Sequence, residues 1–366
     1  MVADRVVRRR LLGAVAMAVL AAGSLVGCAP DNVEFQVYDD VPYHPMNAAD
    51  LVVDDWDDFE DLVDDPPAVA DRVLDIHWID GDDPPVAAPV IIRIPGGAWV
   101  HHNQNTLPEY LERYVHRGWV VVTVGYTRAD AGVPAKQWPV QGQEIDWVVR
   151  WVRANEDALG IDPTKVVLLG DSAGAHLSAQ VATQRFATNP LLPAPAGGDD
   201  ALSSKSSRPN ALVLLSGAYD LSPTGVPQHP GFPDDDIDPF WQQQALLGCV
   251  PSALDCAPEI AAASVVHATD DQNLGNFPPT FIGHGDADTD TPLWPNAIRL
   301  GSQLCNNTYP TPGGGTHRIR LSQETVAGED HDLANLDWAK VDYFLFRQGL
   351  LPSAPVATTT WTCNQP

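Results

Sequence analysis

The pentapeptide Gly170-Asp171-Ser172-Ala173-Gly174 stands between a buried β-branched run, "KVVLLG", and a helical stretch, "AHLSAQVATQRFA". A serine in that setting sits on a sharp strand-to-helix turn that exposes its hydroxyl. The flanking glycines keep side chains from crowding the neighbouring strand and helix. The helix start behind it adds favourable potential for charge developing on an attacked carbonyl oxygen. A serine needs a base, and the base needs an orienting acid. Where a G-x-S-x-G elbow of this kind carries the nucleophile, these follow in the order Ser, acid, His.

Three carboxylates compete for the acid: Asp286, Asp288 and Asp290, after the strand-like "PPTFIGHG". An acid at a strand's carboxyl end is placed to reach the active-site face. Only His317 and His331 follow them. His317 begins a predicted strand, at the wrong end for catalysis. His331 lies in "AGEDHDLAN", a loop between the last strand and the final helix, and is the candidate base. The three aspartates also mimic the start of an EF-hand, but Thr291 occupies its glycine position and Ala297 its glutamate position, so no calcium is expected. His176, one turn beyond Ser172, is expected to pack or hydrogen-bond structurally, as is His284. Adjacent His101 and His102 lack further ligands for a metal. No metal or cofactor is expected. A second glycine pair ends the run "IIRIPGGAWVHH", where bare backbone N–H groups could approach something negative.

The elements that must position these groups follow from periodicity. "VIIRIP", "WVVVTVGY", "KVVLLG", "ALVLLSG" and "PPTFIGHG" read as buried parallel strands, "RVLDIHWID" as a half-buried one, and "HRIRLSQ" as the last. "EIDWVVRWVRANEDALG" reads as an amphipathic helix stopped by Gly160, and "LANLDWAKVDYFLFRQGL" as the final helix. Strand alternating with helix gives an α/β class with a mainly parallel, doubly wound sheet. Residues 72–350 form this catalytic domain. Within it, 219–276 is an excursion read as a small cap or pocket wall, with Phe240 and Trp241 as its aromatic cluster. Residues 28–71, rich in Asp and Pro, read as a tether and solvated surface segment, and 351–366 as a tail.

The 366 residues carry a net charge of −27, which argues against nucleic acid as a partner. Arg8 to Arg10 precede "LLGAVAMAVLAAGSLVGCAP", a basic start and short apolar run that read as a secretory signal, 1–27. Without Arg5, Arg8, Arg9, Arg10 and Asp4, 17 basic residues face 47 acidic ones, a balance of −30. Four cysteines then remain beyond Cys28: Cys249, Cys256, Cys305 and Cys363. An even number in an exported chain suggests two disulfides, with Cys249–Cys256 and Cys305–Cys363 as the favoured pairing.

"LVGC" resembles the lipobox of bacterial lipoproteins, which implies lipidation at Cys28 and a membrane anchor on the cell envelope; a plain secreted form is the alternative. "RRRLL" weakly resembles a twin-arginine signal. The blocks "PGGAW", "VGYTR", "WPVQGQEIDWVVRW", "GIDPTKVVLLGDSAGAHLSA", "HGDADTDTP" and "EDHDLAN" together resemble the α/β-hydrolase fold. They are similar in particular to esterases related to hormone-sensitive lipase and to the carboxylesterase, feruloyl-esterase and kynurenine-formamidase-like groups. The resemblance implies Ser172 as nucleophile, His331 as base, and Asp288 as acid, with Asp286 as runner-up. It implies an oxyanion hole of Gly97, Ala98 and Ala173. Separately from the resemblance, Trp99, Tyr126, Phe240 and Trp241 are expected to line an acyl or aryl pocket. Pro95 departs from the family's histidine, "YTR" from its "YRL", and Glu144 from its aspartate. The implied activity is hydrolysis of a small, short-acyl or aryl carboxylic ester through an acyl-enzyme. An amidase or arylformamidase would use the same triad. A surface-anchored binding protein would not need a complete Ser–Asp–His set.

Overall fold

The computed structural model describes residues 35–43, 72–79, 85–101, 106–183, 202, 204–226, 241–270, 277–306, 308–310, 316–352 and 361–362. The expected signal segment, Cys28, His102, Phe240 and Cys363 lie outside the described residues.

Eleven strands occur among them: β1 (Phe35–Pro42), β2 (Val73–Ile79), β3 (Ala88–Ile94), β4 (Val120–Val124), β5 (Ile161–Asp171), β6 (Ala211–Leu215), β7 (Thr280–Gly285), β8 (Thr308–Pro310), β9 (Thr316–Arg318), β10 (Leu321–Val326) and β11 (Trp361–Thr362). Nine form one sheet in the order β1-β2-β4-β3-β5-β6-β7-β10-β11. The run from β4 to β10 is parallel throughout, and the outer pairs β1–β2, β2–β4 and β10–β11 are antiparallel. The helices are α1 (Glu109–Val115), α2 (Val140–Ala154), α3 (Ala173–Ala182), α4 (Trp241–Leu247), α5 (Ala257–Ala263), α6 (Val265–Asp270), α7 (Arg299–Asn306) and α8 (Trp338–Arg347).

The central strands are apolar at nearly every position because both faces are covered. Val90, Ile92, Val122, Leu168 and Leu214 pack on one face with Ile145, Val148 and Val152 of α2 and Leu177 of α3. Ile91, Val121, Val167, Val213 and Phe281 pack on the other, with Leu111 and Tyr114 of α1 and Val341 and Phe344 of α8. Alternate residues point to opposite faces, so each apolar run feeds two cores at once.

Five sequence expectations are corrected. Part of the supposed tether is strand β1, whose neighbour Tyr43 is buried and donates through its hydroxyl to Gly125 O at 2.8 Å. The acidic composition hid the strand because Asp39 and Asp40 fall where its register with β2 shifts, and the Asp40 N–H donates to Asp75. β2 itself is buried on both sides, Asp75 and His77 included, rather than half-buried. Burial pushes the Asp75 carboxyl up to about 7, against the Asp40 N–H. Helix α2 ends at Ala154, and Gly160 instead forms the left-handed turn into β5, where a Cβ would lie 1.7 Å from Pro85 O. The run "HRIRLSQ" is two strands: β9 pairs with β8, and β10 joins the main sheet. Within the expected tail, β11 pairs with β10.

The excursion contributes α4, α5 and α6. The Cys249–Cys256 disulfide closes a short loop between α4 and α5, with Cα atoms 5.5 Å apart. Cys305 is disulfide-bonded too.

Candidate active site

Ser172 follows β5 directly and precedes α3, with φ 52° and ψ −119°. A left-handed φ is costly for a residue with a side chain, so the surroundings must enforce it. They do so by close backbone packing. A Cβ on Gly170 would lie 2.3 Å from Gly174 O, and one on Gly174 would lie 1.9 Å from Ile94 O. The Ser172 N–H donates to Leu215 O at 2.8 Å, fixing the turn to β6. Ala173 opens α3, so its N–H has no acceptor within the helix.

The loop after β3 passes close by. The Gly96 N–H donates to Asp171 Oδ2 at 2.9 Å, and Arg93 reaches Asp171 Oδ1 at 3.3 Å. A Cβ on Gly96 would meet Asp171 Oδ2 at 2.6 Å. Gly97, Ala98 and Trp99 all have positive φ, at 116°, 51° and 64°. The turn closes on Gly97 O, which accepts from Val100 and His101 at 3.1 and 2.9 Å. The N–H groups of Gly97 and Ala98 donate to no described residue.

Trp99 and Tyr126 are not among the lining residues of the cavity that Ser172 and His331 share. They are 2% and 0% exposed and hold the loop from beneath. The Tyr126 hydroxyl donates to Pro95 O at 3.0 Å. The Trp99 indole donates to His176 Nδ1 at 3.1 Å, and His176 Nε2 lies 2.9 Å from Ala263 O of α5. Indole N–H is only a donor, so Nδ1 accepts and the proton sits on Nε2. Burial lowers His176 to about 4, which keeps this neutral tautomer. The Trp99 carbonyl accepts the Ala129 N–H at 2.9 Å. Glu144 holds that neighbouring loop through Thr127, accepting its N–H and its hydroxyl, each at 2.7 Å, and also pairs with Arg72.

The loops after β7 and β10 converge and bring Asp288 to His331. His331 Nδ1 lies 2.9 Å from Asp288 Oδ2. The Asp288 carboxylate is buried and further accepts the N–H groups of Asp290 and Thr291 at 3.0 and 2.8 Å and the Thr291 hydroxyl at 2.9 Å. His284 Nε2 stands 3.3 Å from the same Oδ2 and 2.6 Å from Thr291 O. Burial alone would push the Asp288 carboxyl up. The hydrogen bonds from His284 and His331, the His331 charge and the Thr291 N–H outweigh it and hold the carboxyl well below the usual range. For His331, burial lowers the pKa, but Asp288, by hydrogen bond and charge, and then Asp290 and Asp332 raise it above the ordinary imidazole value. Asp286 does something else: it accepts the exposed Gly328 N–H at 2.6 Å.

Ser172 and His331 both border one open cavity of about 590 Å³. Its walls include Arg93, Asp171, Tyr110 and Trp338, none of which stood out in the sequence as a site residue. Asp171 was within the serine pentapeptide; Tyr110 and Trp338 carried no local signal. Trp241 is not among the cavity's lining residues; it makes an edge contact with His101, ring centroids 6.4 Å apart. Among the described residues, no group of three or more His, Cys, Asp or Glu side chains could hold a metal ion.

A mainly parallel sheet, a left-handed serine at the β5–α3 turn and an acid–histidine pair from the loops after β7 and β10 define an α/β-hydrolase fold. Residues 74–296 match the BD-FAE family, and the chain belongs to it. Among curated relatives, it is 31% identical over 238 residues to Esterase LipC of Mycobacterium tuberculosis, covering 63% of this chain and 51% of that one. It is 28% identical over 232 residues to Esterase LipQ of the same organism, covering 63% and 48%. The chain thus spans about half the length of these relatives. Among solved structures, a truncated carbohydrate esterase from gut microbiota superposes with a TM-score of 0.59 at 21% identity, over 88% of this chain and 99% of that one. The esterase Est2 of Thermogutta terrifontis, butyrate-bound, gives 0.53 at 22%, over 78% and 93%. Both share the fold.

Proposed function

We propose that the chain is an exported serine hydrolase that cleaves small, short-acyl or aryl carboxylic esters. The observation that carries this reading is the Asp288–His331 pair beside a strained Ser172 on a shared cavity. The esterases among its relatives support the bond type. Ser172 Oγ attacks the acyl carbonyl while its proton passes to His331 Nε2. Asp288 keeps the other proton on Nδ1 and stabilises the imidazolium. The N–H groups of Gly97, Ala98 and Ala173 receive the oxyanion, a contribution of about 10²–10³ in rate per donor. The alcohol leaves with the proton from His331, and water then releases the acid by the same route. Lipid at Cys28 would anchor the enzyme to the cell envelope.

A fluorophosphonate probe and p-nitrophenyl acetate test the chemistry. The wild type is expected to label and turn over. Ser172→Ala should do neither, with a loss on the order of 10⁶ in kcat. Labelling that survives in Ser172→Ala would refute the reading. Loss of lipid labelling in Cys28→Ala tests the anchor.

A further inference from the structure

The cavity has a direction. Six of its lining residues, His331, Asp332, Leu333, Ala334, Leu336 and Trp338, come from the segment that carries the base; Gly97 and Ala98 contribute none. In acylation the Ser172 Oγ–carbon bond forms as the carbon–alkoxy oxygen bond breaks. The serine proton travels through His331 to that departing oxygen. The departing oxygen must therefore stand on the His331 side of the carbonyl, which is where this cavity lies.

Part of its wall is a stacked aromatic pair. Tyr110 and Trp338 stack with centroids 4.5 Å apart and planes 13° from parallel. The helices bearing them are clamped by Asp342 of α8, which takes Arg113, Arg117 at 2.9 Å and the Tyr114 hydroxyl at 2.8 Å. Such a pair offers a flat apolar surface at little entropic cost. The charge nearby is predominantly negative, with Glu109, Asp171 and Asp332 against Arg93. Glu109 and Asp332 are exposed at the rim, while Arg93 faces Asp171.

We propose that this cavity is the subsite for the leaving alcohol, and that Tyr110 and Trp338 select an alcohol carrying a flat ring and no negative charge. The proposal rests on the ester-hydrolase reading above.

The test uses the full chain and esters that separate the two ends of the substrate. Benzyl and ethyl acetate share one acyl-enzyme, so the ratio of their kcat/KM values reports the alcohol alone. Ethyl hexanoate against ethyl acetate reports the acyl group. Trp338→Ala, and Trp338→Leu as the variant that keeps more volume, are expected to lower the benzyl-to-ethyl ratio about five- to tenfold, the size of a ring-stacking contribution. The hexanoate-to-acetate ratio should stay within about twofold of wild type. Glu109→Gln should raise the ratio of 4-carboxybenzyl to benzyl acetate about two- to threefold, as removal of a screened surface charge would. An acyl-length ratio that moves while the alcohol ratio does not would make the cavity an acyl pocket and overturn the proposal. Ester turnover with every ratio unchanged would sink the subsite and leave the hydrolase standing. A wild type that cleaves none of these esters would remove the hydrolase reading and the subsite with it.

Discussion

The two halves of the site are built from different materials. On the side of β3 and β5, the backbone makes the geometry. Gly96, Gly170 and Gly174 stand where any Cβ would come within 3 Å of a neighbour. Ser172, Ala98 and Trp99 hold left-handed conformations within that packing. On the side of β7 and β10, side chains make it. Asp288 gathers four nearby donors and hands its remaining influence to His331. The first half is steric and should be insensitive to pH; the second is electrostatic and should titrate.

Four experiments break or sharpen that contrast. The largest effect is expected from Asp288→Asn, which keeps the shape but reverses the tautomer preference of His331; kcat should fall about 10⁴-fold on p-nitrophenyl acetate at neutral pH. Gly174→Ala attacks the other half. Its methyl group would need the space of Ile94 O, 1.9 Å away, so the elbow must shift. A displacement of about 1 Å costs roughly 10²-fold, and turnover should fall by at least that much with the pH profile unchanged. A loss below tenfold would show that the elbow relaxes freely.

The third is the pH profile itself. The proposed base role requires His331 to be unprotonated at Nε2, and its pKa is raised. kcat/KM should therefore drop about tenfold per pH unit on an acid limb lying above 6.5. Stability runs the other way. A raised histidine pKa stabilises the fold fully below 6.5, and that contribution is lost as pH rises through the folded value. An acid limb below 6.5 would contradict the Asp288 pairing. The smallest effect is expected from Pro95→His. Pro95 supplies only its carbonyl, to Tyr126, and the proposed donors are the next backbone groups, so activity should stay within about tenfold. A larger loss would show that proline itself sets the loop.

Much of the steric half was legible beforehand. Glycines at 170 and 174 around a serine, between an apolar run and a helix, announce a tight turn because only glycine fits there. The glycine pair at 96 and 97 did the same for the facing loop. The choice among Asp286, Asp288 and Asp290 was not legible from spacing, because all three follow the same strand; the resemblance pointed to Asp288, and it is the carboxylate that bonds His331. The orientation of Trp99 and Tyr126 was not legible for a related reason. An aromatic beside a catalytic motif can face the ligand or the core, and sequence does not say which way it turns. Here both turn inward and hydrogen-bond the loop's supports.

The sequence by itself determined the alternation of strands and helices and the tight glycine-framed turn at Ser172. These depend on local sterics and on periodicity, which neighbours along the chain express. The tertiary structure alone decided that Phe35–Pro42 joins the sheet, that His176 anchors Trp99, and that Tyr110 meets Trp338 across 228 positions of chain to wall the cavity. Such contacts depend on which faces the completed sheet brings together, and no short stretch of sequence encodes them.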